Sequence, residues 1–142
     1  MSCVYSEADI ERIALGLIDR SLPKTEWTHA AHFAVALWLL RQRGLQAMVD
    51  MPPLIRAYNE STGVVNSDTS GYHQTITVAS LRAGHAWLAA RPRTPLHLAL
   101  RELLDSAYGR SDWLLSYWSR ERLFSTAARR GWIEPDLRPL PF

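Results

Sequence analysis

The sequence predicts an all-α fold, a compact bundle of five to six helices with an extended Pro-rich C-terminal tail. Two observations carry this. Apolar residues recur at three- and four-residue spacing between recognisable caps and breakers. No stretch alternates with period two for long enough to make a sheet, Val64-Val65 offering at most a token strand. At 142 residues, without a repeat or long linker, the chain reads as a single helical domain over 1–142.

The elements follow in order. Ser6 with Asp9 is a start signal for a first helix, whose stripe is Ile10, Ile13, Ala14, Leu17 and Ile18. Leu22-Pro23-Lys24 breaks it. Thr25 or Thr28 caps a second helix that runs to Arg43 and stops at Gly44. Gly44 to Thr62 reads as a third helical stretch, bent or divided at Pro52-Pro53 and ended by Gly63. Val64 to Gly71 is a polar loop in which Asp68, Thr69 and Ser70 are all good caps. A fourth helix is expected from about Tyr72 to Ala90. Thr94 caps a fifth, with Pro95 in its first turn and Tyr108-Gly109 at its end. Ser111 or Asp112 caps a sixth, shorter helix through Ser119. After Gly131, Pro135, Pro139 and Pro141 favour an extended tail.

Composition excludes several classes. Hydrophobic residues at 47% and charged residues at 21% describe a globular chain, not a disordered or fibrous one. The lone Cys3 rules out an internal disulfide framework and any multi-cysteine zinc module. Glu7, Asp9, Glu11 and Asp19 break any secretory apolar core. The longest nearly unbroken apolar run, Ala30 to Leu40, is too short for a bilayer. A soluble, cytoplasmic protein without a membrane partner is expected. Its net charge of +2 comes from fifteen Arg and one Lys set against fourteen acids, scattered without the basic stripe that phosphate tracking needs. No nucleic-acid partner is therefore expected, and the sequence does not argue for a homo-oligomer.

The second helix is the most informative segment. Between Ala30 and Leu40 only His32 is polar, so this helix should be packed on every side, at the centre of the bundle. At 100° per residue His29, His32, Phe33, Ala36 and Leu40 share one face. Either histidine alone is explained as readily by a carbonyl or hydroxyl partner. Together, one turn apart, they place two ring nitrogens within reach of one ion. The second constellation is Asn66-Ser67-Asp68-Thr69-Ser70-Gly71-Tyr72-His73. Its plain reading is loop and cap. The face that follows, His73, Thr77, Ser80 and Gly84, is small and polar between apolar flanks, as suits a cavity wall or a close helix crossing. Tyr58, Asn59 and Glu60 end the third stretch near the same loop and could line that cavity. His85 and His97 read as surface positions, and most of the six Trp as core.

The stretch from Trp27 to His32, the stretch from Asn66 to Thr77, and the closing Trp132-Ile133-Glu134-Pro135-Asp136-Leu137 with Pro139-Leu140-Pro141 resemble a bacterial family of small proteins with no assigned activity. The resemblance covers most of the chain. It implies that the two histidine-bearing motifs form one site, and nothing about the substrate.

Three functions follow from these residues. The first is a divalent metal site, zinc or iron, between helices two and four, with His29, His32 and His73 as ligands and Asp68 as ligand or orienter. A metal-dependent enzyme would then act on a small polar molecule held by Tyr72, Asn66 or Thr77. The second is a binding or interaction module without chemistry, its cavity lined by Asn66, Thr77, Tyr58 and Asn59. The third is a metal-free acid–base catalyst using His73 as base, Asp68 to orient it, and Tyr72 or His32 as acid. No Walker loop, dinucleotide fingerprint or nucleophile elbow is present.

Overall fold

A computed structural model describes residues 4–142; Cys3 lies outside them. The described chain is all-α, with no strand. Five long helices form the bundle: α1 (Glu7–Asp19), α2 (His29–Arg43), α3 (Ala47–Ser61), α4 (Gln74–Ala89) and α5 (Leu96–Asp105). Two short helices, α6 (Arg120–Leu123) and α7 (Thr126–Arg130), precede the tail. No helix is long and apolar enough to cross a membrane.

Local chemistry starts and stops most of these elements. The Ser6 hydroxyl accepts from the Asp9 amide, and the Asp9 carboxylate accepts in return from the Ser6 amide, both at 3.0 Å. Thr28, not Thr25, caps α2, its hydroxyl accepting from the Ala31 amide at 3.2 Å. Thr25 instead sits in a 3-10 turn over Lys24–Glu26. Gly44 closes α2 at φ +58, a conformation that suits glycine. As expected, α2 is the central element. It packs against α1, α3, α4 and α5, and Ala31, Phe33, Ala34, Val35, Ala36, Leu37 and Leu39 are fully buried.

Four boundaries correct the sequence reading. Pro52 and Pro53 neither divide nor end α3, which is continuous from Ala47 to Ser61. The two amide donors that the prolines lack would have met carbonyls of Met48 and Val49, the latter on the solvent side with its side chain 65% exposed. Helix α4 begins at Gln74 rather than Tyr72, and its cap is the His73 side chain rather than Asp68, Thr69 or Ser70. Thr94 does not cap α5. Pro95 occupies the cap position, and Glu7 reaches over from α1 to accept from the His97 amide at 2.8 Å and from its Nδ1 at 2.7 Å. Finally, Ser111 to Ser119 is not a helix. It makes one 3-10 turn at Trp113–Ser116, and α6 starts only after Ser119.

The tail after Gly131 lies extended across the body, as the prolines suggested. Trp118, fully buried, donates its indole N–H to the Ile133 carbonyl at 3.1 Å. Thr75 on α4 donates to the Gly131 carbonyl at 2.7 Å, and the Leu137 amide donates to Tyr117 at 2.8 Å. The Asp136 carboxylate accepts from both the amide and the hydroxyl of Ser119. The tail is thereby part of the packed structure.

Candidate functional site

The N-terminal ends of α2 and α4 approach each other, and two adjoining cavities open between them. The first, of about 210 Å³, is bounded by His29, Ser80 and Trp113 among others. The second, of about 330 Å³, is bounded by Asn59 from α3 and by Tyr72, His73 and Thr77. Trp27, His32 and Ile76 line both. The larger falls within the ~300–1,000 Å³ of small-molecule sites.

His32 is the chemical centre of this cleft. Its ring lies 5.4 Å from that of Trp27, centroid to centroid, in a tilted arrangement. Neither ring nitrogen takes a hydrogen bond from the described residues. Neither is sealed from solvent either: the single buried side-chain nitrogen or oxygen without a partner among these residues is Trp113 Nε1. His32 borders both cavities, and its nitrogens keep some accessible surface. Burial, and after it the neighbouring His29 imidazole, push its pKa from 6.5 down to about 4. At pH 7 the ring is neutral, with one N–H donor and one lone pair.

The other predicted residues are largely engaged. His73 Nε2 donates to the Leu123 carbonyl at 2.7 Å, while Nδ1 accepts from the Ile76 amide at 3.2 Å. Those two bonds fix the neutral tautomer with the proton on Nε2. Burial holds its pKa below the usual range, Arg129 adds to this, and the Leu123 carbonyl opposes it. With no free lone pair, His73 is a helix cap in the cavity wall and not a metal ligand or general base, which corrects both roles expected of it. Asp68 does not orient it. The Asp68 carboxylate forms a two-point pair with Arg130, both contacts at 2.6 Å, on the exposed side of the loop. His29 Nε2 donates to the Tyr108 carbonyl at 2.8 Å, leaving only Nδ1 free.

Tyr58 and Asn66 are also structural. The Tyr58 side chain is fully buried and its hydroxyl donates to the Leu22 carbonyl at 2.8 Å, away from the cleft. Asn66 holds the loop: its Oδ1 accepts from Asn59 Nδ2 at 3.0 Å and from the Tyr72 amide at 2.9 Å, and its Nδ2 donates to the Arg56 carbonyl at 3.1 Å. Gly71 closes the same turn at φ +77, where an added Cβ would meet Asn66 Oδ1 and the Val65 carbonyl at 2.6 Å. Besides His29 and His73, three of the predicted residues line the cleft with His32. Thr77 donates to the His73 carbonyl at 2.9 Å. Tyr72 donates to Gln74 Oε1 and carries the Arg56 guanidinium 4.6 Å over its ring, and burial raises its phenol pKa. Asn59 keeps its Oδ1 unpaired and open to the cavity.

These placements decide the fit of a metal. No group of three His, Cys, Asp or Glu among the described residues is arranged to hold an ion. With His73 and Asp68 engaged, two imidazoles remain where a zinc or iron site needs three or more protein donors. His29 and His32 are the two predicted ligands that keep an unbonded ring nitrogen. Sequence reasoning also missed what partners the histidines. The acceptors are backbone carbonyls of Tyr108 and Leu123, 79 and 50 residues away, which no side-chain pattern announces. No protein-family model, curated protein or solved structure matches the chain.

Proposed function

We propose that the chain is a binding protein for a small neutral molecule with a flat apolar body and a paired donor and acceptor, a primary amide being the simplest such group. The observation that supports this is the His32 imidazole, free of protein partners where it borders both cavities. A neutral imidazole offers one donor and one acceptor. Asn59, which lines the larger cavity with His32, adds a second acceptor through its Oδ1. An amide N–H₂ satisfies the acceptors and its carbonyl takes the imidazole N–H. Trp27, Ile76 and Tyr72 supply the apolar enclosure.

The lowered His32 pKa favours binding over general-base catalysis. A general base works best with a pKa near the operating pH. A pKa of about 4 leaves His32 a weak proton acceptor at pH 7, and His73 has no lone pair to offer. Recognition by hydrogen bonding uses the same neutral ring without that penalty.

Benzamide titrated into labelled protein tests the reading by NMR. The His32 ring resonances should move in a saturable way, and His32→Gln should weaken binding about tenfold, the loss of a hydrogen bond in a desolvated site. Unmoved His32 resonances, or equal affinity in the variant, would overturn the proposal.

A further inference from the structure

A third cavity, of about 390 Å³, shares Trp113 with the smaller of the two already described. The chain builds it from the segment between α5 and α6, with Arg138 of the tail across its edge. Tyr108, Trp113 and Tyr117 form three of its walls. Tyr108 and Trp113 meet edge to face at 4.9 Å and 86°, and Trp113 and Tyr117 at 6.0 Å and 73°. These three rings give the cavity aromatic walls.

The polar side chains around this slot include the Tyr108 and Tyr117 hydroxyls, Arg110, Arg138 and the Asp112 carboxylate. The Trp113 indole N–H, without a partner among the described residues, is sealed from the slot. The hydroxyls of Tyr108 and Tyr117 make no hydrogen bond to the described residues. Burial first, and Tyr117 second, raise the Tyr108 phenol pKa, so it stays a protonated donor at neutral pH. Arg138 donates through Nε to the Ser116 carbonyl at 3.1 Å and lies 4.8 Å over the Tyr117 ring. It pairs with no carboxylate of the described residues, whereas Arg110 is paired with Asp112 at 3.2 Å. The lining therefore carries one uncompensated positive charge.

Aromatic walls by themselves would suit a cation as well as an aromatic ring. Arg138 removes that option, since it already covers the Tyr117 face and would repel a second cation. The geometry points to a site for a small aromatic carboxylate, its ring in the slot and its carboxylate against the Arg138 fork and the free phenol donors. This site is separate from the His32 cleft, and Trp113 is the wall common to both cavities.

Benzoate, benzamide and phenyltrimethylammonium, each titrated by calorimetry and ligand-observed NMR, test the assignment. Benzoate should bind with a dissociation constant tighter than about 10 mM and the ammonium ion should not bind. Arg138→Gln should weaken benzoate about tenfold while leaving benzamide unaffected. His32→Gln should leave benzoate unaffected, so failure here and failure of the amide reading are read on different variants. Arg138 is exposed on the tail, and an unchanged melting temperature will show that its variant is folded. Tyr117→Phe, which keeps the ring and removes one donor, should weaken benzoate by a smaller factor. Absent benzoate binding, tighter binding of the ammonium ion, or indifference to Arg138→Gln would each overturn the assignment.

Discussion

Replacing His32 with glutamine should flatten the acid limb of the stability curve. In the folded chain the imidazole takes a proton only near pH 4, whereas in the unfolded chain it does so near 6.5. Between these values the unfolded state binds more protons, so the contribution of His32 is fully present above pH 6.5 and is lost as pH falls toward 4. With one pKa unit worth 1.36 kcal/mol, the loss reaches about 2 kcal/mol at pH 5 and about 3 kcal/mol at pH 4. Asp9, Asp19, Asp50 and Asp136 titrate below this window, held under 3.8 by hydrogen bonds from neighbouring groups, and every carboxylate is common to both proteins. His73 shifts in the same direction as His32 but is present in both proteins and cancels. Urea unfolding at pH 7 and pH 5 supplies the measurement. The parent should lose about 2 kcal/mol more than His32→Gln over that interval, at unchanged m-value. Only the pH-dependent difference is compared, so any baseline effect of the substitution drops out. Equal losses in the two proteins would refute a cavity-facing neutral His32.

Two further outcomes follow from the packing. His73→Ala removes both the α4 cap and the bond to Leu123 and should cost about 2–3 kcal/mol, whereas His73→Asn, which can still cap, should recover about 1 kcal/mol; thermal melts of the pair decide this. Gly109→Ala should destabilise by about 3 kcal/mol in denaturant titration, since a Cβ there would fall 1.8 Å from the Leu104 carbonyl oxygen and the backbone has to move.

Local signals were read well because their partners lie within four residues. The Ser6–Asp9 box, the Thr28 cap and the Gly44 stop are each complete in the sequence. The segment from Ser111 to Ser119 misled because its cap and apolar residues are those of a helix. Distant residues claim its backbone instead: Leu137 bonds the Tyr117 carbonyl and Asp136 the Ser119 amide. The candidate site divides along the same line. Helical spacing set His29 and His32 on one face, and both border one cavity. Which imidazole stays free depends on where two remote carbonyls fall, and spacing is silent on that. The aromatic slot was missed because Tyr108, Trp113 and Tyr117 share no single helical face, and their angles come from irregular chain.

The bond from His73 to Leu123 has a consequence for the order of assembly. During synthesis α1, α2 and α3 can begin to pack as soon as they emerge, since each contacts the other two. The start of α4 cannot be completed until residues 50 or more positions later have emerged, because Leu123 and Gly131 supply the acceptors for His73 and Thr75. A nascent chain that ends before Leu123 therefore leaves His73 and Thr75 at the start of α4 without these acceptors. This is the stage at which the chain is most open to aggregation or to capture by a chaperone.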